Sequence, residues 1–162
     1  MVFNLSLNYV QNVEDAEEIT QDVFVAVHQA LGTFGNRSSL STWIYRITIN
    51  KSLDHIKAKK RKKRFGFILS IFGDDTTPPN DVQHFNHPGV QLEQKEAMAN
   101  IFACINALPA NQKTALLLSK TEQKSQAEIA EIMDISVKAV ESLIQRAKTN
   151  LAVKLKMSEG MR

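Results

Sequence analysis

The sequence predicts an all-α chain of two small helical domains joined by a flexible linker, the second domain ending in a helix-turn-helix. Three observations carry that prediction. Apolar residues recur at three- and four-residue steps through most of the chain, and no segment shows a strong alternation of the kind a half-buried strand requires. Three of the four prolines, Pro78, Pro79 and Pro88, fall in residues 65–90, a stretch with little to build a core from. Residues 126–148 (QAEIAEIMDISVKAVESLIQRAK) carry two helical stripes on either side of one sharp break. The expected division is 1–64, a linker at 65–90, and 91–162.

Charge is distributed unevenly along the chain. The net value is +3, yet residues 1–36 hold five acids and no Lys or Arg, while residues 37–64 hold ten bases against the single acid Asp54. Residues 65–100 return to five acids and one base, and residues 101–162 carry nine bases and six acids. Basic blocks separated by acidic ones point to two nucleic-acid-facing parts, with the acidic parts serving another partner. The lone Cys104 excludes an intramolecular disulfide and fits a reducing cytoplasm. No basic leader precedes an apolar core at the N-terminus, and no apolar run approaches membrane-spanning length, so a cytoplasmic protein without membrane insertion is expected.

The first segment, VFNLSLNYV, is apolar at Val2, Phe3, Leu5, Leu7 and Val10 and reads as helix or strand. Its abrupt opening at Met1 raises the expectation of a truncated start. Asn12 is an N-cap for a long helix, with Asp15 at the capping-box position and a buried stripe of Ala16, Ile19, Val23, Val27 and Leu31. Glu14, Glu17, Glu18, Gln21 and Asp22 form its outer face, acidic where the helix dipole favours acids. That face serves either solubility or a partner.

Gly32 and Gly35 then break the pattern into a loop, and Ser38 or Ser39 caps the following helix. At about 100° per residue, Leu40, Trp43, Ile44 and Ile47 fall on one side of that helix, with Tyr45, Ile49, Leu53 and Ile56 nearly opposite. A helix apolar on two faces sits centrally in a bundle or turns one face to a non-protein partner. Arg46, Asn50 and Lys57 lie between the stripes, Trp43 is assigned to core packing, and Asp54 to a pair with a nearby base. Residues 57–64 (KAKKRKKR) place seven bases in eight positions, a density that suits phosphate contact through counterion release.

Phe65, Ile68, Leu69 and Phe72 stand at helical spacing and extend the basic helix into a short amphipathic turn suited to a protein partner. Asp81, His84 and His87 lack a second ligand pair, and no metal site is assigned. Beyond the linker, Leu92, Ala97, Ile101, Phe102 and Ile105 mark an amphipathic helix at 91–107, and Pro109 fits the first turn of the next, which carries residues 115–118. Ile129, Ala130 and Met133 form the inner face of the first helix of the helix-turn-helix. Asp134 takes the left-handed turn position where Gly is common, and Asp tolerates that conformation better than most residues. Ser136 caps the second helix, buried through Val140, Ile144, Ala147 and Leu151. Lys138, Ser142, Gln145 and Thr149, with Arg146 at the edge, face the other way and offer groups that reach bases and phosphates.

The runs DAEEITQDVF, FGNRSSLSTWIYRITINKSLDHIKAKKRKKR and LPANQKTALLLSKTEQKSQAEIAEIMDISVKAVESLIQRAK, in that order and spacing, resemble the bacterial extracytoplasmic-function sigma factors. The resemblance covers nearly the whole chain apart from the linker. It implies a first module that docks on core RNA polymerase and opens the promoter at the minus-ten element, and a second that reads the minus-thirty-five element. Asp15, Glu17, Glu18, Gln21 and Asp22 would meet the clamp coiled coil, and the flap would be a further contact on the polymerase. Phe34, Asn36, Arg37, Ser38 and Ser39 lie in the segment matching the loop that captures a flipped base, where a shaped pocket must offset the cost of unstacking. Arg46, Asn50 and Lys51 match the helix bordering the melted strand, followed by Lys59, Lys60 and Arg61. Ser136, Lys138, Glu141, Ser142, Gln145 and Arg146 match the major-groove helix. Common members carry bases at Glu141 and Leu143; Glu141 can accept from a cytosine amino group, and Leu143 offers only apolar contact. Promoter DNA and an anti-sigma factor are the further partners implied.

The sequence contains no phosphate-binding glycine loop and no nucleophile in a recognisable setting, so neither a catalytic residue nor a cofactor is assigned. The expected function is an initiation factor working as a polymerase subunit. The alternatives are a free-standing helix-turn-helix regulator and a truncated polymerase-binding protein without initiation activity. An acidic docking helix and a basic two-faced helix favour the first, since an autonomous regulator has no need of either.

Overall fold

The ambiguous first segment forms a helix, α1 (Val2–Val10), whose chain end turns at Gln11 in a left-handed conformation (φ 60°) and returns its N–H to the Leu7 carbonyl at 2.8 Å. The computed structural model describes residues 1–35, 37–72 and 95–159, and among these the regular structure is entirely helical. Asn12 caps α2 (Val13–Ala30) as expected, its side-chain oxygen accepting from the Asp15 N–H at 2.8 Å. Ala16, Ile19 and Val23 are buried and Val27 partly so, but Leu31 is exposed because the chain tightens there into a 3-10 turn, Leu31–Thr33. Ser39 opens α3 (Leu40–Phe72), its hydroxyl accepting from the Thr42 N–H at 3.0 Å.

Both faces of α3 are used within the protein. Ile44 and Ile47 pack toward Val2, Ile19 and Val23 of α1 and α2. Tyr45 and Ile49, with Leu53 and Ile56 beside them, join a larger cluster that contains Leu5 and Tyr9 of α1 together with Ala115, Leu117, Leu118, Ile129, Ile132 and Val140 from the C-terminal third. The two modules therefore share an apolar seam, with α3 at its centre. The side chains at 66–72, and with them the proposed patch at Ile68, Leu69 and Phe72, lie outside the described residues, as do Pro78, Pro79, Asp81, His84, His87, Pro88 and Leu92.

The C-terminal module comprises α4 (Lys95–Asn106), α5 (Ala110–Lys120), α6 (Gln126–Met133) and α7 (Val137–Glu159). Helix α4 is rotated from the expected stripe: Ala97 and Ile101 are exposed, while Cys104 is buried and Ile105 packs beneath Leu108. Pro109 stands at the N-cap of α5, one residue ahead of its expected place. Ser125 and Glu128 form a reciprocal capping box at the start of α6. Asp134 turns the chain at φ 55°, ψ 47°, and Ser136 then caps α7 by accepting from the Ala139 N–H at 3.2 Å. Val140, Ile144 and Ala147 are buried and Leu151 packs at their lower end, as the spacing predicts.

Candidate polymerase and nucleic-acid surfaces

Helix α2 is amphipathic, and because its buried face packs on α1 and α3, Glu14, Glu17, Glu18, Gln21 and Asp22 are left exposed on the other. Asp15 is different. Its side chain is only 18% exposed, and its carboxylate stands 3.3 Å from His55 Nε2 and accepts from Lys59 Nζ at 2.8 Å. The capping-box position thus serves to tie α2 to α3. Glu18 lies close enough that Asp15, Glu18 and His55 each place a ligand atom within 4.8 Å of the others. Lys59 occupies one Asp15 oxygen and His55 stands at the other, so the cluster joins α2 to α3. Lys51 approaches Asp22 at 4.0 Å along the same junction. Beside the acids, Phe24 and Val25 are 62% and 56% exposed, so charge and bare apolar surface adjoin on this helix. The stripe of α2 located its buried face and left Phe24 and Val25 unexplained, an available signal for a candidate surface.

The loop after α2 places Phe34 against Trp43, ring centroids 5.0 Å apart and tilted by 37°. Trp43 is half-buried, so its assigned packing role is shared with the loop. Arg37 and Ser39 are exposed and Ser38 is half-buried beside them; Asn36 lies outside the described residues. An aromatic pair flanked by a cation and hydroxyls is a chemically suitable edge for a stacked base.

Along α3, Asn50 is exposed, and Asp54 pairs with Lys57 at 3.2 Å, matching its expected role. Lys59 is drawn onto Asp15, whereas Lys60, Arg61, Lys62, Lys63 and Arg64 project into solvent. Arg46 is partly buried and its guanidinium is engaged by the C-terminal module. Its Nε donates to the Ile132 carbonyl at 3.1 Å and its Nη2 to the Glu131 carbonyl at 2.6 Å, both at the C-terminal end of α6. Around it, Thr42 donates to Glu131 and Tyr45 to Glu122. Tyr45 lay on the second apolar face in the sequence, but its polar partner is 77 positions away and no local pattern announces it.

The outward face of α7 is open. Lys138, Glu141, Ser142, Gln145 and Arg146 are exposed on the side away from the buried stripe. The Ser142 hydroxyl donates back to the Lys138 carbonyl at 3.0 Å, and Ser136 spends an oxygen lone pair on its cap. Leu143 packs against the core, so it is unsuited to the DNA contact considered for it. These residues form one outward face, separate from the acidic face of α2 and from the basic end of α3.

Two family models match the chain: Sigma-70 region 2 over residues 1–62 and Sigma-70, region 4 over residues 98–151. The RNA polymerase sigma-H factor of Pseudomonas aeruginosa is 28% identical over 147 residues, covering 91% of this chain and 76% of the relative. The ECF RNA polymerase sigma-E factor of Haemophilus influenzae is 29% identical over 154 residues, covering 95% of this chain and 81% of the relative. Among solved structures, the sigma factor RpoE from Bartonella quintana, in complex with the anti-sigma factor NepR, superposes with a TM-score of 0.65 at 19% identity, covering 96% of this chain and 89% of that one. CnrH in complex with the cytosolic domain of CnrY gives 0.64 at 22% identity, covering 96% and 80%. These two support the helical fold, and the family models and relatives supply the rest: with region 2 followed by region 4 and this set of relatives, the chain belongs to the extracytoplasmic-function sigma factors.

Proposed function

We propose that the chain docks on core RNA polymerase through α2 and directs it to promoters that it recognises with α7 and opens with the loop and basic helix of the first module. The observation that carries this assignment is the exposed face of α2, where Glu17, Glu18, Gln21 and Asp22 adjoin bare Phe24 and Val25. Soluble monomers seldom leave such a surface without a partner, and an autonomous regulator gains nothing from it. Asp15 supports the face from behind through His55 and Lys59. Residues 1–64 form the polymerase-docking and minus-ten module and residues 91–162 the minus-thirty-five module, with 65–90 as the linker. The clamp coiled coil and the flap are the polymerase contacts.

The loop at Phe34, Arg37, Ser38 and Ser39 holds the flipped base, Asn50, Lys51, Lys60 and Arg61 run beside the backbone, and Lys138, Glu141, Ser142, Gln145 and Arg146 read the duplex. The protein acts by binding alone, without catalysis, in the cytoplasm where its polymerase resides; no helix among the described residues is long and apolar enough to cross a membrane. An anti-sigma factor is the proposed regulatory partner, on the strength of the solved relatives that are bound to one or to a comparable cytosolic domain. Changing Glu18 and Asp22 together to Lys is expected to weaken binding to core polymerase while leaving helicity unchanged. Unaltered affinity in a core titration would remove α2 from the docking assignment.

A further inference from the structure

Helix α7 is a basic helix with one acid set into its outward face. Over Val137–Glu159 it carries Lys138, Arg146, Lys148, Lys154 and Lys156, and its acids are Glu141 and the terminal Glu159. Glu141 does none of the work an acid ordinarily does on a helix. It stands past the first turn, the place where the dipole rewards negative charge. It is exposed, and among the described residues no ion pair or hydrogen bond engages its carboxylate, although Lys138 stands three positions before it. The hydroxyls of the same helix are turned back onto its own chain. Ser136 accepts from the Ala139 N–H at 3.2 Å, Ser142 donates to the Lys138 carbonyl at 3.0 Å, and Thr149 donates to the Gln145 carbonyl at 3.1 Å. The side chains of that face left to reach outward are Lys138, Glu141, Gln145 and Arg146. Lys138 and Arg146 only donate, Gln145 does both, and Glu141 is the one that only accepts.

In a groove between two phosphate chains a carboxylate is repelled at every sequence, and that loss is offset only where a donor on a base edge meets it. The four bases differ in what they offer. Guanine shows the acceptors N7 and O6, and thymine shows the O4 acceptor and a methyl group. Adenine offers its N6 amino group with the N7 acceptor beside it, whereas cytosine offers N4 with no acceptor of its own at that edge. A carboxylate therefore ranks cytosine first, adenine second and the other two last. We propose that Glu141 sets the specificity of α7 at one base pair of the upstream element, requiring cytosine on the strand it faces and rejecting guanine and thymine there. This rests on the sigma-factor reading above. The helix rises about 1.5 Å per residue, which puts Lys138 about 4.5 Å and Gln145 about 6 Å away along its axis, roughly one to two base-pair steps to either side. Their readout falls on neighbouring positions, and Glu141 answers for its own.

The test uses the full chain with core polymerase, as wild type, Glu141→Gln and Glu141→Ala. Each selects duplexes from a pool randomised across the upstream element, and affinities are then measured on matched promoters carrying each of the four base pairs at the position that differs. The wild type is expected to favour cytosine there over guanine or thymine by roughly tenfold or more, the scale of one good pairing of a side chain with a base edge. Glutamine keeps the length and removes the charge, and its amide suits adenine N6 and N7. Glu141→Gln is therefore expected to move the preference from cytosine to adenine at that position and to leave the other positions as they were. Glu141→Ala removes the repulsion along with the contact, so it should flatten the preference and bind the guanine and thymine duplexes more tightly than the wild type does. Identical selections by the wild type and Glu141→Gln, or a change spread evenly over every position, would overturn the assignment of Glu141 alone. A wild-type chain that selects no promoter with core would overturn the sigma-factor reading and this assignment with it.

Discussion

Glu128 shows how much a single exposed side chain does at the head of the helix-turn-helix. Its carboxylate accepts from the Lys124 ammonium at 2.9 Å and from the Ser125 N–H and hydroxyl at 2.8 Å each. The Lys124 bond first, and then the two Ser125 bonds, draw its pKa down to about 2 from the ordinary 4.5. A carboxylate depressed in the folded state contributes stability above its unfolded pKa and loses that contribution as pH falls toward the folded value. Glu128→Gln is therefore expected to flatten the acid-side loss of α6 helicity between those two values, read by residue-resolved chemical shifts. Ser125→Ala removes the other half of the box and is expected to cost about 1 kcal/mol in urea unfolding. A variant as stable as wild type would show that the cap is redundant. Arg46 illustrates the limit of sequence reading at this scale. Its place between two apolar stripes was legible, but its carbonyl partners on α6 were not, because periodicity reports on one helix at a time.

At the scale of elements, α2 and α7 were legible because each has one buried stripe with a side-chain cap at its start. The buried face of α6 was only partly legible: Ile129 and Ala130 face α7 as expected, but Ile132 is buried because α3 covers that side. The rotation of α4 was not legible, since a twelve-residue helix rich in apolar side chains admits more than one stripe, and the choice between Ile101 and Cys104 is made by α7 and the Leu108 turn. Ile129→Ala, at a fully buried position, is expected to cost about 2–5 kcal/mol by loss of transfer energy and cavity formation. A shift within error of zero in a denaturant titration would mean that the site collapses around the smaller residue. The two elements proposed to face DNA should also separate experimentally. Lys60→Ala with Arg61→Ala is expected to lower the salt slope of promoter binding by about one unit for each phosphate no longer neutralised, alike on all sequences. Gln145→Ala should instead relax preference at particular upstream base pairs, and identical effects of the two changes on every sequence would contradict the recognition role of α7.

For the whole molecule, the two-faced character of α3 was the most informative pattern in the sequence, and it left open whether the second face met a non-protein partner or the protein itself. In the structure that face meets the C-terminal module, with Tyr45 and Ile49 in the common cluster. Lys113 makes the stability of the folded chain sensitive to pH. Burial, reinforced by the Lys60 charge, lowers its pKa to about 7 from 10.5. The unfolded chain therefore holds more protons between those values, so raising the pH from 7 favours the folded state, while below about 7 both states carry the proton and the dependence disappears. Urea unfolding followed across that window should show this contribution to stability rising with pH and the rise vanishing in Lys113→Met. The same pH profile in the wild type and in Lys113→Met would exclude the Lys113 amine as its source.

The central claim is that this chain recognises promoters as part of a polymerase, and the most direct measurement follows a selected promoter duplex with the chain alone and with core added. An initiation factor gains its useful affinity on polymerase, where the docking helix, the basic helix and the recognition helix act at fixed spacing and raise one another's effective concentration. The chain alone is expected to bind weakly and with strong salt sensitivity. With core, specific binding should appear together with unpaired-base reactivity around the minus-ten element, and both the reactivity and its position should depend on the loop residues Phe34, Arg37 and Ser39. Tight sequence-specific binding by the chain alone, with no core-dependent opening on any selected promoter, would contradict the account and identify a free-standing regulator instead.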